Sequence, residues 1–225
     1  MGDTFRPSYL PEIGKNFSKA CDSYRKWALP QRETALELLR FARPHLSGGV
    51  ALDAGAGVGL LTELLEGLFE KVFACDLSEK SLKRNSAASR RAFLCNMERL
   101  PLKTRSVDWA FSSFALHWCD WKRAIKELKR VARRGVAFAV PVEGSLKGLG
   151  FPFPPAEEVL KEAKPTAFEI LIEEIPFRGR DFLLFFKKTG TGFNPNKKLS
   201  AFEILKNPNR VGFYGFKVLL AVVVF

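Results

Sequence analysis

The sequence predicts an α/β fold: a doubly wound, mostly parallel seven-stranded sheet with an antiparallel edge pair at the C-terminal end. Three observations carry this. Short apolar runs alternate with stretches of helical spacing from residue 30 to residue 142, and a glycine-rich turn follows the first run. After about residue 144 the alternation changes, leaving two late strand patterns with no long crossover between them. Parallel neighbours need a helix to return the chain, whereas a late pair without one can lie side by side at a sheet edge.

Taken in order, residues 30–43 place Ala35, Leu38, Leu39 and Ala42 at helical spacing, with Pro30 suited to a helix start. Ser47, Gly48 and Gly49 end that stretch. Residues 50–53 form a short strand, and residues 60–69 a helix beyond the glycines. Residues 71–76 give a second strand, and Ser78 caps a helix predicted to reach about residue 89. Strands follow over 92–95 and 107–112. The clearest helix covers 121–132, because Trp121, Ala124, Ile125, Leu128, Val131 and Ala132 share one face; Gly135 is read as its stop signal. Residues 135–142 make a fifth strand. Beyond them the patterns predict short helices over 154–163, 180–189 and 200–206, and strands over 168–176 and 214–225.

Composition bounds the function. A chain of 225 residues with 47% hydrophobic content supports one well-buried domain, and 27% charged residues exclude wholesale disorder. The longest apolar run, residues 218–225, is far shorter than the roughly 20 residues a membrane helix needs. Residues 1–9 lack an apolar core, so no signal peptide is read and the expected location is cytoplasmic. Cys21, Cys75, Cys95 and Cys119 are widely separated, and His45 and His117 are the only histidines, so no metal site is predicted. The net charge of +12 points to an anionic partner, although a basic surface also serves solubility.

The best chemical signal is the run Ala51-Leu52-Asp53-Ala54-Gly55-Ala56-Gly57-Val58-Gly59. Glycine lets the backbone turn tightly and lets a ligand approach the main chain, and in open parallel sheets ligands bind beyond the carboxyl ends of strands. A dinucleotide site would show GxGxxG, and a phosphate-binding loop would follow its glycines with Lys-Ser/Thr. Here Asp53 stands just before the turn. Its carboxylate repels a pyrophosphate and welcomes a sulfonium or ammonium, so the pattern favours S-adenosylmethionine. Asp76 ends the second strand 23 residues after Asp53, where an acid can accept hydrogen bonds from ribose hydroxyls.

On these residues the chain resembles class I S-adenosylmethionine-dependent methyltransferases, which implies a Rossmann-like fold. The segment Cys95-Asn96-Met97-Glu98-Arg99-Leu100-Pro101 is similar to their adenine-binding stretch, with Asn96 where an acid usually stands. The resemblance implies cofactor contacts at Asp53, Gly55, Gly57, Asp76, Leu77, Asn96, Met97 and Ser112, and a pocket at Tyr24, His117 and Trp118. It divides the single domain 1–225 into a helical lid (1–45), a cofactor-binding core (46–144) and a substrate-side cap with the last strands (145–225).

A narrower resemblance is to malonyl-acyl-carrier-protein O-methyltransferases of biotin synthesis, the BioC type. It rests on Phe111-Ser112-Ser113-Phe114-Ala115-Leu116-His117-Trp118-Cys119, on Val140-Pro141-Val142-Glu143-Gly144-Ser145-Leu146, and on Phe17, Tyr24 and Gln31 spaced seven apart. It implies methyl transfer to the free carboxylate of a malonyl group on an acidic acyl carrier protein. That carboxylate is ionised at neutral pH, so no catalytic base is required. Arg178 and Arg180 are the candidates to hold it, on the expectation that their turn faces the same sheet end as Gly55. Lys187, Lys188, Lys197 and Lys198 are the expected docking residues. Trp118 and Trp121 fit a core role as well as a pocket one, and His117 fits a structural role as well as a base. Another small metabolite or an RNA remains open as acceptor, as does an assembly factor that keeps the fold without transfer.

Overall fold

The computed structural model describes residues 9–89 and 91–225. The reading of residues 1–9 therefore lies outside the described residues except at Tyr9. Two helices come first, α1 (Leu10–Trp27) and α2 (Leu29–Ala42), followed by β1 (Val50–Ala54), α3 (Leu60–Glu66), β2 (Lys71–Asp76) and α4 (Glu79–Leu82). Then come β3 (Ala92–Leu94), β4 (Val107–Ser113), α5 (Trp121–Val131) and β5 (Ala132–Pro141). The last part holds α6 (Ala156–Ala163), β6 (Ala167–Glu174), α7 (Gly179–Thr189), α8 (Ala201–Lys206) and β7 (Gly215–Val224).

The seven strands form one sheet in the order β3-β2-β1-β4-β5-β7-β6. β1 pairs in parallel with both β2 and β4, so strand order reverses there and a crevice opens beyond its carboxyl end. β7 inserts antiparallel between β5 and β6, the edge arrangement expected from the late strand patterns. One face of the sheet packs Trp109 and Phe111 against Ala35 and Leu38 of α2, Leu65 of α3, and Phe182 and Phe185 of α7. The other packs Leu52, Phe138 and Leu219 against Trp121, Ile125 and Leu128 of α5 and Val159 of α6. Truncating a fully buried leucine such as Leu128 removes about 2–5 kcal/mol, so α5 is anchored by the apolar stripe visible in its sequence.

Two elements differ from expectation. The helix capped by Ser78, whose Oγ accepts from Ser81 N, stops at Leu82. The chain is diverted by Asn85, whose Nδ2 donates to Thr62 Oγ1 at 2.9 Å and whose Oδ1 accepts from Ala87 N at 2.9 Å. Such side-chain bonds compete with the helical ladder. Gly135 is not a helix stop: α5 ends at Val131, β5 begins at Ala132, and Gly135 lies inside the strand. A Cβ there would stand 2.4 Å from Val223 O and 2.6 Å from the Trp109 ring, so close packing demands the glycine.

Candidate functional site

Beyond β1 the chain turns through Gly55, Gly57 and Gly59 at φ of +74°, +50° and +91°, values that glycine adopts without strain. The amides of Gly55 and Ala56 donate to Cys75 O at 2.8 and 3.0 Å, pinning the turn to β2. A Cβ on Gly55 would lie 2.3 Å from Ala115 Cβ and 2.7 Å from Met97 Cε. The glycine therefore lets the segments following β3 and β4 close on the turn. Gly57 faces open space.

Asp76 holds the turn in place, its Oδ2 accepting from Gly57 N at 2.9 Å and its Oδ1 from Ser78 N at 2.7 Å. Burial raises its carboxyl above the usual range, and the two amides pull it partly back. Asp53 is more enclosed: Thr62 Oγ1 donates to its Oδ2 at 2.7 Å, and burial pushes its carboxyl up to about 7. Both acids line a cavity beyond the carboxyl ends of β1, β2 and β4.

Helix α1 roofs the cavity with Ile13, Phe17 and Tyr24. Phe17 meets the Trp118 ring edge-on at 5.6 Å, and the Tyr24 hydroxyl is pushed up by burial and then by the Asp76 charge. Polar ties hold this roof down. Arg25 Nη2 donates to Val58 O at 2.6 Å and its guanidinium grips both oxygens of Glu63, while Ser18 Oγ lies 2.8 Å from Ser78 Oγ and Asp22 pairs with Arg84.

The cavity brings together Asp53, Gly55, Gly57, Asp76, Leu77, Asn96, Met97, Tyr24 and Trp118 from the predicted set. Asn96 Oδ1 accepts from Glu98 N at 2.9 Å, which fixes the side chain and leaves one oxygen lone pair and the NH2 donors for a ligand. Ser112, His117, Arg178 and Arg180 do not line it. Ser112 is buried on the α5 side of β4, and alternation along the strand brings Ser113 to the cavity instead. His117 is buried against Trp118 at 4.8 Å and Phe153 at 5.5 Å, and desolvation pushes its imidazole down to about 3.

The turn bearing Arg178 and Arg180 does face the same sheet end as Gly55, because β6 runs parallel to β1. It is displaced sideways. β6 is four strands from β1, roughly 19 Å at the usual strand spacing. Arg178 instead donates to Ile175 O and Phe177 O and lies 4.6 Å over the Tyr214 ring; Arg180 is exposed in the first turn of α7. Sequence reasoning gave no site role to Thr62 or Ser113. Thr62 follows Asp53 by nine residues in an ordinary helical pattern, and nothing local marks it as the carboxylate's partner.

Residues 52–140 match the family model described as a methyltransferase domain. The chain is 38% identical over 143 residues to the malonyl-[acyl-carrier protein] O-methyltransferase of Yersinia pestis, covering 61% of this chain and 53% of that one. It thus spans about half the length of the curated relatives it matches. Among solved structures, it resembles a SAM-dependent methyltransferase from Thermotoga maritima, with TM-score 0.57 and 18% identity over 92% of this chain and 98% of that chain. The geranyl diphosphate C-methyltransferase of Streptomyces coelicolor A3(2), solved with S-adenosyl-L-homocysteine, matches with TM-score 0.55 and 15% identity over 84% and 79%. Likeness at such identities is one of fold, and that fold is Rossmann-like.

Proposed function

We propose that this chain, whose residues 52–140 match a methyltransferase-domain model, moves a methyl group from S-adenosylmethionine to the free carboxylate of malonyl-acyl-carrier protein. The observation that carries it is a cavity lined by two acids, the buried Asp53 and the half-buried Asp76, and by no lysine or arginine among the described residues. That electrostatic setting suits a sulfonium and ammonium ligand and disfavours a phosphate. The open space at Gly57 and the tight fit at Gly55 suit close approach of such a ligand to the turn.

When bound, S-adenosylmethionine supplies the electrophilic methyl group. Asp76 would accept hydrogen bonds from its ribose hydroxyls, Asn96 and Met97 would hold its adenine, and Asp53 would counter its positive charge. Phe17, Tyr24 and Trp118 exclude water, which strengthens each of these contacts. A malonyl carboxylate is already ionised at neutral pH, so the chain must position it rather than deprotonate it. No base is then needed, and His117, packed against Trp118 and Phe153 outside the cavity lining and pushed down to about 3 by desolvation, is a poor proton acceptor.

The acyl-carrier half is supported by the names of the relatives and by the charge of +12. Helix α7 packs on α1 beside the cavity, and Ser23 Oγ of α1 donates to Lys188 O at 2.8 Å. Lys187, Lys197 and Lys198 are exposed and available to an acidic carrier, and Lys188 is half-buried. Among the described residues no helix is long and apolar enough to cross a membrane.

The test is methyl transfer from labelled S-adenosylmethionine to malonyl-acyl-carrier protein, with malonyl-coenzyme A and acetyl-acyl-carrier protein alongside. Transfer far above both controls, with a KM for the carrier that climbs with salt, is expected. Cofactor binding without transfer to the malonyl carrier would remove the acceptor and leave RNA or another metabolite in its place.

A further inference from the structure

Gln31, in the first turn of α2, lines the cavity at 4% exposure, yet neither its Nε2 nor its Oε1 has a hydrogen-bond partner. One helical turn on, Thr34 is wholly buried with its Oγ1 unpaired. Ser113 Oγ, also at the cavity, is a fourth buried atom without a partner. These groups share one layer. Alternation along β4 puts Ser113 on the side of Trp109 and Phe111, and both rings pack in the same core as Ala35 and Leu38 of α2. Folded proteins leave few buried polar groups unsatisfied, so a cluster of them at a cavity wall marks where a polar ligand completes the bonding.

We propose that Gln31 Nε2 and Ser113 Oγ receive the carboxylate of the methyl acceptor. This rests on the methyltransferase reading above and specifies its acceptor subsite. Among the described residues the cavity wall offers no lysine or arginine, while Asp53 and Asp76 would repel a second anion unless hydrogen-bond donors met it. Both proposed donors are uncharged. A neutral amide and hydroxyl orient a carboxylate without drawing off its charge as a bidentate guanidinium would, so the attacking oxygen keeps its electron density. Methylation abolishes that charge, and the same donors then hold the ester product more weakly.

The experiment compares Gln31→Met, Gln31→Glu and Ser113→Ala with the native chain by steady-state kinetics on malonyl-acyl-carrier protein, by calorimetric titration with S-adenosylmethionine, and by thermal melting. Gln31→Met and Ser113→Ala should raise KM for the carrier substrate by about 10–100-fold, with cofactor affinity changed by less than about twofold. Gln31→Glu, which sets a like charge against the carboxylate, should be the worst of the three. Gln31→Met should also melt higher than the native chain, because an unpaired buried amide has been replaced by an apolar chain of similar shape. A native chain that transfers methyl groups while all three variants match it overturns this assignment alone. Cofactor affinity falling in step with the rise in KM overturns it too, moving Gln31 to the cofactor. A native chain inert toward the malonyl carrier overturns the function proposed above and this subsite with it.

Discussion

Replacing Asp53 with asparagine preserves the side chain's shape and the bond from Thr62 Oγ1, 2.7 Å long in the native protein, and removes only the charge. Burial holds the native carboxyl's proton to about pH 7, the Thr62 bond working against this and the Asp76 charge with it, well above the ordinary aspartate range. The unfolded chain gives up that proton near pH 4. Between the two values the folded state binds more protons, so the stability contributed is complete below about pH 4 and is lost as pH rises through about 7. At the upper bound the loss is about 4 kcal/mol at pH 8, and relaxation around the charge brings the gain expected for Asp53→Asn to about 1–3 kcal/mol. For a chain of this size that raises the melting temperature by about 2–12 °C at pH 8 and hardly at all at pH 4. Melting curves of ligand-free protein at the two pH values read this directly. Titration with S-adenosylmethionine reads the functional side: native affinity should rise roughly tenfold from pH 6 to pH 8 as Asp53 ionises, beyond any change seen in the variant. A variant that melts no higher than the native chain at pH 8, or that keeps the native pH profile of binding, would refute the reasoning.

Gly55→Ala sets a methyl group 2.3 Å from Ala115 Cβ at a φ of +74°, so it should cost about 1–3 kcal/mol of stability and weaken cofactor binding, measured by melting and titration. His117→Phe should retain methyl transfer to within a few-fold, because the native imidazole does not line the cavity and, pushed down to about 3 by desolvation, is a poor proton acceptor. Its folded value near 3 means that the native chain loses stability as pH falls below about 6.5, so the variant's melting advantage should be larger at pH 5 than at pH 8. A hundredfold loss of transfer with an unchanged melting curve would instead identify His117 as a base.

Much of the fold was legible because its signals are local. The apolar stripe Trp121, Ala124, Ile125, Leu128 and Val131 marks α5, and each residue is buried as its spacing requires. Ser78 caps α4 as expected, but the length of that helix was decided by Asn85 reaching Thr62 on α3, a contact between residues far apart in the chain. Gly135 shows the converse. Its position after a helix made it look like a stop, while its function is to let β5 pass Trp109 and β7.

By itself the sequence determined the alternation of strands and helices, the late edge pair and the glycine turn with its two acids. Side-chain period and the need for positive φ are properties of a few neighbouring residues, and they read the same in any context. The tertiary structure alone decided which side chains reach the cavity. Strand parity chose Ser113 over Ser112; sheet order carried Arg178 and Arg180 to the correct end but the far edge; ring packing enclosed His117; and the seating of α2 on the sheet left Gln31 at the cavity wall without a partner. These outcomes depend on which elements lie side by side, and adjacency across a sheet is set by packing the whole chain at once.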